Sequence, residues 1–169
     1  MPTIREAKRE DLIAITEIYN DAIVKTVATF DTEPKSIEEQ RAWFDRHNTK
    51  YPILVAEDQG LIVGWVSSSR WSDRRGYRDT AEISLYVKEG HRNRGIGRKL
   101  LEAILRKGEN AGIHTVVGRI AGTNQVSVHL LEASGFTHIG TMREIGRKFG
   151  KLLDVHLMQK IFGGSGSST

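Results

Sequence analysis

The sequence predicts a mixed α/β (α+β) fold in a single domain of residues 1–162. Helix-like and strand-like segments follow one another in the order β-α-α-β-β-β-α-β-α-β-β, which is typical of a sheet flanked by helices. The chain of 169 residues is long enough for one hydrophobic core. Its content of 38% hydrophobic and 27% charged residues is that of a globular protein. Residues 163–169 contain only glycine, serine and threonine, so we predict a disordered tail or a cloning remnant there.

The first half of the chain opens with a short strand and two helices. Residues 3–5 are extended, and apolar side chains then recur at helical spacing over 12–23. Ser36 and Glu39 have the spacing of a capping box, in which each side chain accepts a free backbone NH of the other residue. The spacing predicts a second helix from there to about residue 46.

Three strands follow in the predicted order. Residues 53–57 and 61–66 are apolar runs separated by Asp-Gln-Gly, which is typical of a hairpin. An arginine-rich loop, 70–78, leads into 80–87, where polar and apolar residues alternate as in a strand.

The second half alternates helices and strands and ends in a hairpin. Glycines mark the ends of both helices. The predicted elements are a helix over about 95–110, a strand over 114–120, a helix over 124–133, and strands around 141–147 and 152–158.

Composition excludes several kinds of chemistry and location. The chain has no cysteine, which excludes disulfides, thiolate zinc sites and a cysteine nucleophile. Its six histidines show no paired metal-ligand spacing, so we predict no metal site. No apolar run approaches the ~18 residues of a membrane span, and the first residues do not resemble a signal peptide. We therefore expect a cytoplasmic protein without a membrane partner.

The segment between the strand ending at 87 and the helix near 95 carries the clearest chemical signal. Glycine at a helix start allows a ligand close to the backbone, and the free NH groups of the first turn bind anions. The net charge of +4 is mild, but Arg92, Arg94, Arg98 and Lys99 add positive charge around this segment. A P-loop fails on spacing and lacks the hydroxyl that would hold magnesium, and a dinucleotide fingerprint fails because Leu100 stands where its third glycine is needed. The run that fits a third pattern, Arg/Gln-x-x-Gly-x-Gly/Ala, is Arg92-Asn93-Arg94-Gly95-Ile96-Gly97, followed by Arg98.

This loop resembles the diphosphate loop of the GNAT superfamily of acetyl-CoA-dependent N-acetyltransferases, and the resemblance covers residues 4–158. Asn124, ahead of a helix that ends in Glu-Ala-Ser-Gly-Phe, is similar to the second cofactor segment of that family. The resemblance implies a central, mostly antiparallel sheet with two splayed strands. It also implies that the pantetheine arm of acetyl-CoA lies along the backbone of Leu85, Tyr86 and Val87.

Three segments are similar to the phosphinothricin and methionine-sulfone N-acetyltransferases in particular. They are residues 28–34, 76–82 and 142–155. This similarity implies transfer of acetyl to the α-amine of a small amino acid of the phosphinothricin, methionine sulfone or methionine sulfoximine type. It also implies a homodimer, with the basic run 143–151 in the interface.

Glu82 is the candidate general base. Its place in the middle of an alternating strand fits a solvent-facing residue equally well, but the resemblance puts the catalytic glutamate at this position. Many family members have a tyrosine acid where this chain has Leu131, which has no proton to give. We assign no acid, because a thiol with a pKa near ~8.5 leaves as a thiolate.

The predicted substrate-binding residues are Phe30, Arg75, Gly76, Tyr77 and Arg78. An arginine fork suits the α-carboxylate of an amino acid, although a solvated basic loop explains each arginine about as well. Two alternatives stay open: acetylation of protein N-termini, and a non-catalytic module that binds coenzyme A or nucleic acid. Nucleic acid is disfavoured because the chain has neither a zinc-finger pattern nor an aromatic-rich RNA-binding signature.

Overall fold

The computed structural model describes residues 1–163 and contains one seven-stranded sheet with helices on both faces. The strand order is β1-β2-β3-β4-β5-β7-β6. The strands are β1 (Thr3–Glu6), β2 (Ile53–Asp58), β3 (Leu61–Arg70), β4 (Thr80–Val87), β5 (Thr115–Ala121), β6 (Thr137–Lys148) and β7 (Lys151–Ile161). The α-helices are α1 (Leu12–Lys25), α2 (Ile37–Asp45), α3 (Ile96–Asn110) and α4 (Gln125–Ala133).

The predicted mixed α/β fold and its element order are confirmed, with three strands, β3, β6 and β7, longer than expected. β3 continues to Arg70 because its second half pairs with β4 as far as Ala81. β6 begins at Thr137 because the residues after α4 already pair with β7. The predicted tail, 163–169, lies outside the described residues apart from Gly163. In the part of the chain that is described, no helix has both the length and the apolar character needed to cross a membrane.

The sheet is antiparallel except at one junction. β4 and β5 run parallel and pair only over three positions, the last of which joins Glu82 to Val117. Beyond that point β5 pairs only with β7 and β4 only with β3. The two strands therefore diverge and leave a cleft within the sheet.

Side-chain alternation along the sheet sends apolar groups into two cores. In β2, Leu54 and Ala56 face the core beneath α3, whereas Ile53 and Val55 face α1. Trp65 is buried in the second core, where its ring meets the edge of Tyr19. Because both faces of β2 and β3 are covered, these strands form a rigid support for the neighbouring β4.

Two local devices expected from the sequence are present. Ser36 accepts a hydrogen bond from the Glu39 amide at 3.2 Å, and the Glu39 carboxylate accepts one from the Ser36 amide at 2.7 Å. The turn between β2 and β3 has Gln59 at φ +50° and Gly60 at φ +79°. This pair of left-handed residues is the type I′ geometry that matches the twist of a hairpin.

Candidate active site

A cleft of about 530 Å³ opens where β4 and β5 separate. One wall is the free edge of β4, the opposite wall comes from β5 and α4, and the loop after α1 and the β6–β7 hairpin close the end. The principal lining residues are Tyr19, Phe30, Asp31, Glu82, Ser84, Leu85, Tyr86, Gly118, Arg119, Asn124, Ser127, Leu130, Met142 and Ile145.

Glu82 lies at the apex of the cleft, at the last register pair of β4 and β5. Alternation along β4 puts its side chain on the face opposite to Ala81, which belongs to the core under α3. The Glu82 side chain is 18% exposed, so it reaches the cleft without being freely solvated. The candidate base predicted from the sequence therefore stands where the sheet opens.

Arg119 from β5 binds the Glu82 carboxylate with two parallel hydrogen bonds. Its Nη2 lies 2.7 Å from Oε1, and its Nε donates to Oε2. This hydrogen bonding raises the pKa of the Arg119 guanidinium above its ordinary value. The guanidinium also lies 5.4 Å from the ring centroid of Trp71, in cation–π contact. Glu82 is therefore held in place by a fixed, charged partner.

Sequence reasoning missed Arg119, although one signal was available. It is a charged residue in an otherwise apolar strand, with Val116 and Val117 before it and Ile120 after it. A charge in such a run is costly unless it is paired, which points to a partner in the neighbouring strand.

The edge of β4 that faces the cleft is open beyond Glu82. Residues 83–87 pair with β3 on their other side and have no strand partner towards β5 in the described structure. Backbone amides and carbonyls on an open edge bind an extended chain as a further strand would. Leu85, Tyr86 and Val87 lie on this edge. Burial raises the pKa of the Tyr86 phenol to about 12, so it stays protonated at neutral pH.

The loop from β4 into α3 presents backbone amides and positive charge. Gly95 is the N-terminal cap of α3, has φ +79° and supplies no capping side chain. The first-turn amides after it have no acceptor within the helix. The Arg92 Nε donates to the Val87 carbonyl at 3.2 Å and so ties the loop to β4. Ile96 is buried and anchors the helix start, Gly97 faces Leu85 and Leu130, and Arg92, Asn93, Arg94, Gly95 and Arg98 are exposed.

Asn124 and Leu131 mark the two ends of α4. Asn124 caps the helix, its side chain accepting a hydrogen bond from the Ser127 amide at 3.2 Å, and it lines the cleft. Leu131 is buried, with its Cδ1 2.8 Å from the position that a Cβ would take on Gly118. This position therefore serves packing and holds no proton donor.

Phe30 is held in the cleft wall by a polar network beneath it. Tyr19 donates to the Asp31 carboxylate and lies 3.0 Å from the Thr29 hydroxyl. Burial, together with that hydrogen bond to Asp31, raises the pKa of Tyr19. The buried Lys148 amine donates to the Thr29 carbonyl at 2.7 Å, which joins the loop to the β6–β7 hairpin.

The arginines predicted to bind the substrate carboxylate, Arg75 and Arg78, lie outside the cleft. Residues 75–77 form a short 3-10 helix, and Arg75, Gly76, Tyr77 and Arg78 are all exposed. Arg78 is 3.8 Å from the Asp79 carboxylate. None of these four residues lines the cleft, so a role in substrate binding stays a prediction.

The histidines form no cluster with enough ligands for a metal. His138 and His156 come within 3.3 Å of each other across β6 and β7, a contact the sequence spacing does not reveal. Within residues 1–163, no group of three or more histidine, aspartate or glutamate side chains could hold a metal ion.

Comparison with known proteins shows the family to which the chain belongs. The profile of the Acetyltransferase (GNAT) domain family matches residues 4–157, so the chain belongs to the GNAT family. It is an acetyl-CoA-dependent acetyltransferase, as the diphosphate-loop pattern predicted.

Two relatives and one solved structure are similar to this chain over most of its length. An L-amino acid N-acyltransferase from Escherichia coli is 38% identical, with 93% of this chain and 92% of the relative aligned. An L-methionine sulfoximine/L-methionine sulfone acetyltransferase from Pseudomonas aeruginosa is 39% identical over the same shares. A phosphinothricin acetyltransferase from Sinorhizobium meliloti, solved with acetyl-CoA, superposes with a TM-score of 0.92 at 33% identity, covering 95% of this chain and 88% of that one.

Proposed function

We propose that the protein transfers the acetyl group of acetyl-CoA to the α-amine of a small amino acid. The substrates we propose are phosphinothricin, methionine sulfone and methionine sulfoximine. The observation that carries the proposal is the position of Glu82, a carboxylate at the point where an open strand edge meets a cleft of small-molecule size. The names of the relatives from E. coli, P. aeruginosa and S. meliloti support the substrate class.

The cosubstrate fits the residues around the cleft. The open amides at the start of α3 and the arginines around them suit a diphosphate, because a helix N-terminus favours negative charge. The edge of β4 at 85–87 suits the amide groups of the pantetheine arm. Asn124 and its helix border the other side of the same cleft. The acetyl thioester then lies close to Glu82, at the closed end of the strand gap.

The chemistry follows from the protonation states of the two reactants. The α-amine of a free amino acid is more basic than the terminal α-amine of a peptide, whose pKa is ~7.7–8.0, so most of it is protonated at pH 7 and must lose a proton before it attacks. Glu82 accepts that proton. The amine nitrogen then bonds to the thioester carbonyl carbon, a backbone NH of the β4 edge polarises the carbonyl oxygen, and the C–S bond breaks. Coenzyme A leaves as a thiolate and takes up the second proton, which the nitrogen loses as the amide forms, while Glu82 returns its proton to solvent, so Leu131 is compatible with turnover.

A substrate panel read by thiol release tests the proposal. We expect turnover of free methionine sulfone, methionine sulfoximine or phosphinothricin well above that of short peptides. Faster turnover of peptide α-amines would identify an N-terminal acetyltransferase instead. Absence of turnover on every amine, together with salt-sensitive DNA binding, would favour the non-catalytic alternative.

Gly146→Ala is expected to raise the KM for the amino acid and leave acetyl-CoA binding unchanged. A Cβ at Gly146 would lie 2.2 Å from Cε2 of Phe30, so the ring must leave its place in the cleft wall. We expect a KM increase of about tenfold, which is at the low end of the roughly 1–3 kcal/mol that overpacking of a close contact costs. Gly140→Ala, on the same strand with nothing within 4 Å of the added carbon, is the matched control. Equal KM values in both variants would contradict the role of Phe30.

We further propose that the enzyme is a homodimer joined through the β6–β7 hairpin and works in the cytoplasm. β6 is an edge strand, and apolar side chains exposed on the hairpin include Ile139, Phe149 and Leu152. Exposed apolar side chains beside an open edge are typical of an interface. The absence of cysteine fits a reducing compartment.

Light scattering tests the dimer. We expect twice the chain mass of 19.0 kDa for the wild type, and the mass of one chain for Phe149→Asp. A wild type with the mass of one chain at all concentrations would contradict this interface.

A further inference from the structure

We propose that Arg119 binds the carboxylate of the amino-acid substrate and determines the specificity of the enzyme for substrates that carry one. This inference rests on the proposed function, because it names a residue that selects among amines at the same site. Arg119 then bridges two carboxylates, that of Glu82 and that of the substrate.

The charge of the cleft favours Arg119 as the partner of a substrate carboxylate. Among the described residues, Arg119 is the one cation that lines it, beside two carboxylates, Glu82 and Asp31. A second carboxylate arriving with the substrate would be repelled by Glu82 unless a positive charge lay between them. Arg119 is the group that holds this position.

The guanidinium of Arg119 has one edge free to bind a ligand. Glu82 occupies Nε and Nη2, and within residues 1–163 Nη1 has no hydrogen-bond partner. The Arg119 side chain is 51% exposed, so this remaining edge is open to a ligand. Cation–π contact with Trp71 holds the plane of the fork while it binds. A guanidinium has five donors and can bind two carboxylates at once.

The charges of an amino-acid substrate complement those of Glu82 and Arg119. An α-amino acid carries an ammonium and a carboxylate on the same carbon. Glu82 and Arg119 carry the opposite charges, and they touch each other across β4 and β5. The ammonium can therefore lie against Glu82 while the carboxylate lies against Arg119. This two-point contact directs the α-amine, rather than a side-chain amine, towards the base.

The test compares each acid with its carboxamide in wild type, Arg119→Met and Arg119→Lys. Methionine sulfone and methionine sulfone amide differ only in the carboxylate, which Arg119 is proposed to bind and which the amide replaces by a neutral carboxamide. In Arg119→Met both substrates lose what the displaced Glu82 costs, and we expect kcat/KM for the acid to fall about 10–100-fold further than that for the amide, mainly through KM. Arg119→Lys retains the charge without the fork, so we expect an intermediate loss for the acid. Exposed Arg106→Met, on α3, is the control for removal of an arginine.

The outcomes separate this inference from the function on which it rests. Equal losses for acid and amide in Arg119→Met would show that Arg119 only orients Glu82, and would overturn the inference. Loss of acid preference in Arg78→Met, with Arg119→Met unaffected, would overturn it in favour of the exposed loop. If the wild type acetylates no amino acid, the proposed function and the inference both fail. Calorimetric binding of acetyl-CoA by each variant confirms folding, and Arg119→Lys decides the question if the methionine variant does not fold.

Discussion

Glu82→Gln is expected to lower kcat for amino-acid acetylation by about 10²–10⁴-fold, the usual contribution of a general base. The glutamine keeps the size of the side chain at the apex of the cleft but has no carboxylate to accept the ammonium proton. Acetyl-CoA affinity should stay nearly unchanged, because the proposed diphosphate site lies at the start of α3 and not at Glu82. Steady-state kinetics and calorimetry measure the two quantities separately.

The loss of kcat in Glu82→Gln should be largest at low pH. Near pH 6 nearly all α-amine is protonated and needs a base, whereas the neutral fraction is much larger at pH 9. The deficit is therefore largest at low pH and shrinks as pH rises. Glu109→Gln, an exposed carboxylate on α3, is the control and should behave as wild type. A variant that keeps the wild-type pH–rate profile would remove Glu82 from the mechanism.

Gly95→Asp is expected to weaken acetyl-CoA binding by at least about tenfold. The position is the N-terminal cap of α3 at φ +79°, where a side chain other than glycine is strained by roughly 1–2 kcal/mol. The new carboxylate also stands beside the amides proposed to hold the diphosphate, and like charges repel. Calorimetric titration with coenzyme A and a thermal melt separate lost affinity from lost stability.

The chain offers a closely matched control for this substitution. Gly60, in the turn between β2 and β3, also has φ +79°, and a Cβ there would also meet nothing within 4 Å. Gly60→Asp should therefore lose a similar amount of stability and keep its affinity for coenzyme A. If both variants bind coenzyme A as tightly as the wild type, the diphosphate does not lie at the start of α3.

Local patterns in the sequence were sufficient to predict most elements of the fold. The Ser36 capping box, the turn at Gly60 and the glycine at the start of α3 are each decided by residues within a few positions of one another. Such short-range chemistry can be read from one chain. The separation of β4 and β5 was different, because it was expected only from the resemblance to GNAT enzymes.

The contacts that the sequence did not reveal join residues far apart in the chain. Arg119 and Glu82 are 37 positions apart, and their contact depends on the register of two parallel strands. Lys148 reaches the Thr29 carbonyl across 119 positions. Conversely, nearness to Glu82 in the chain suggested a site for Arg75 and Arg78, which the structure places on an exposed short helix. Proximity along the chain does not show which side chains face the same cleft.

Only three register pairs join the β1–β4 part of the sheet to the β5–β7 part. If acetyl-CoA lies along the free edge of β4 as proposed, it joins these two parts of the sheet and stabilises the protein as well as supplying the acetyl group. Hydrogen–deuterium exchange should then slow on both flanks of the gap when coenzyme A is added, including amides of β5 that lie across from the ligand. An acceptor amine would meet a stiffened pocket only after the donor is in place, which favours an ordered sequence of binding in which the nucleotide enters first.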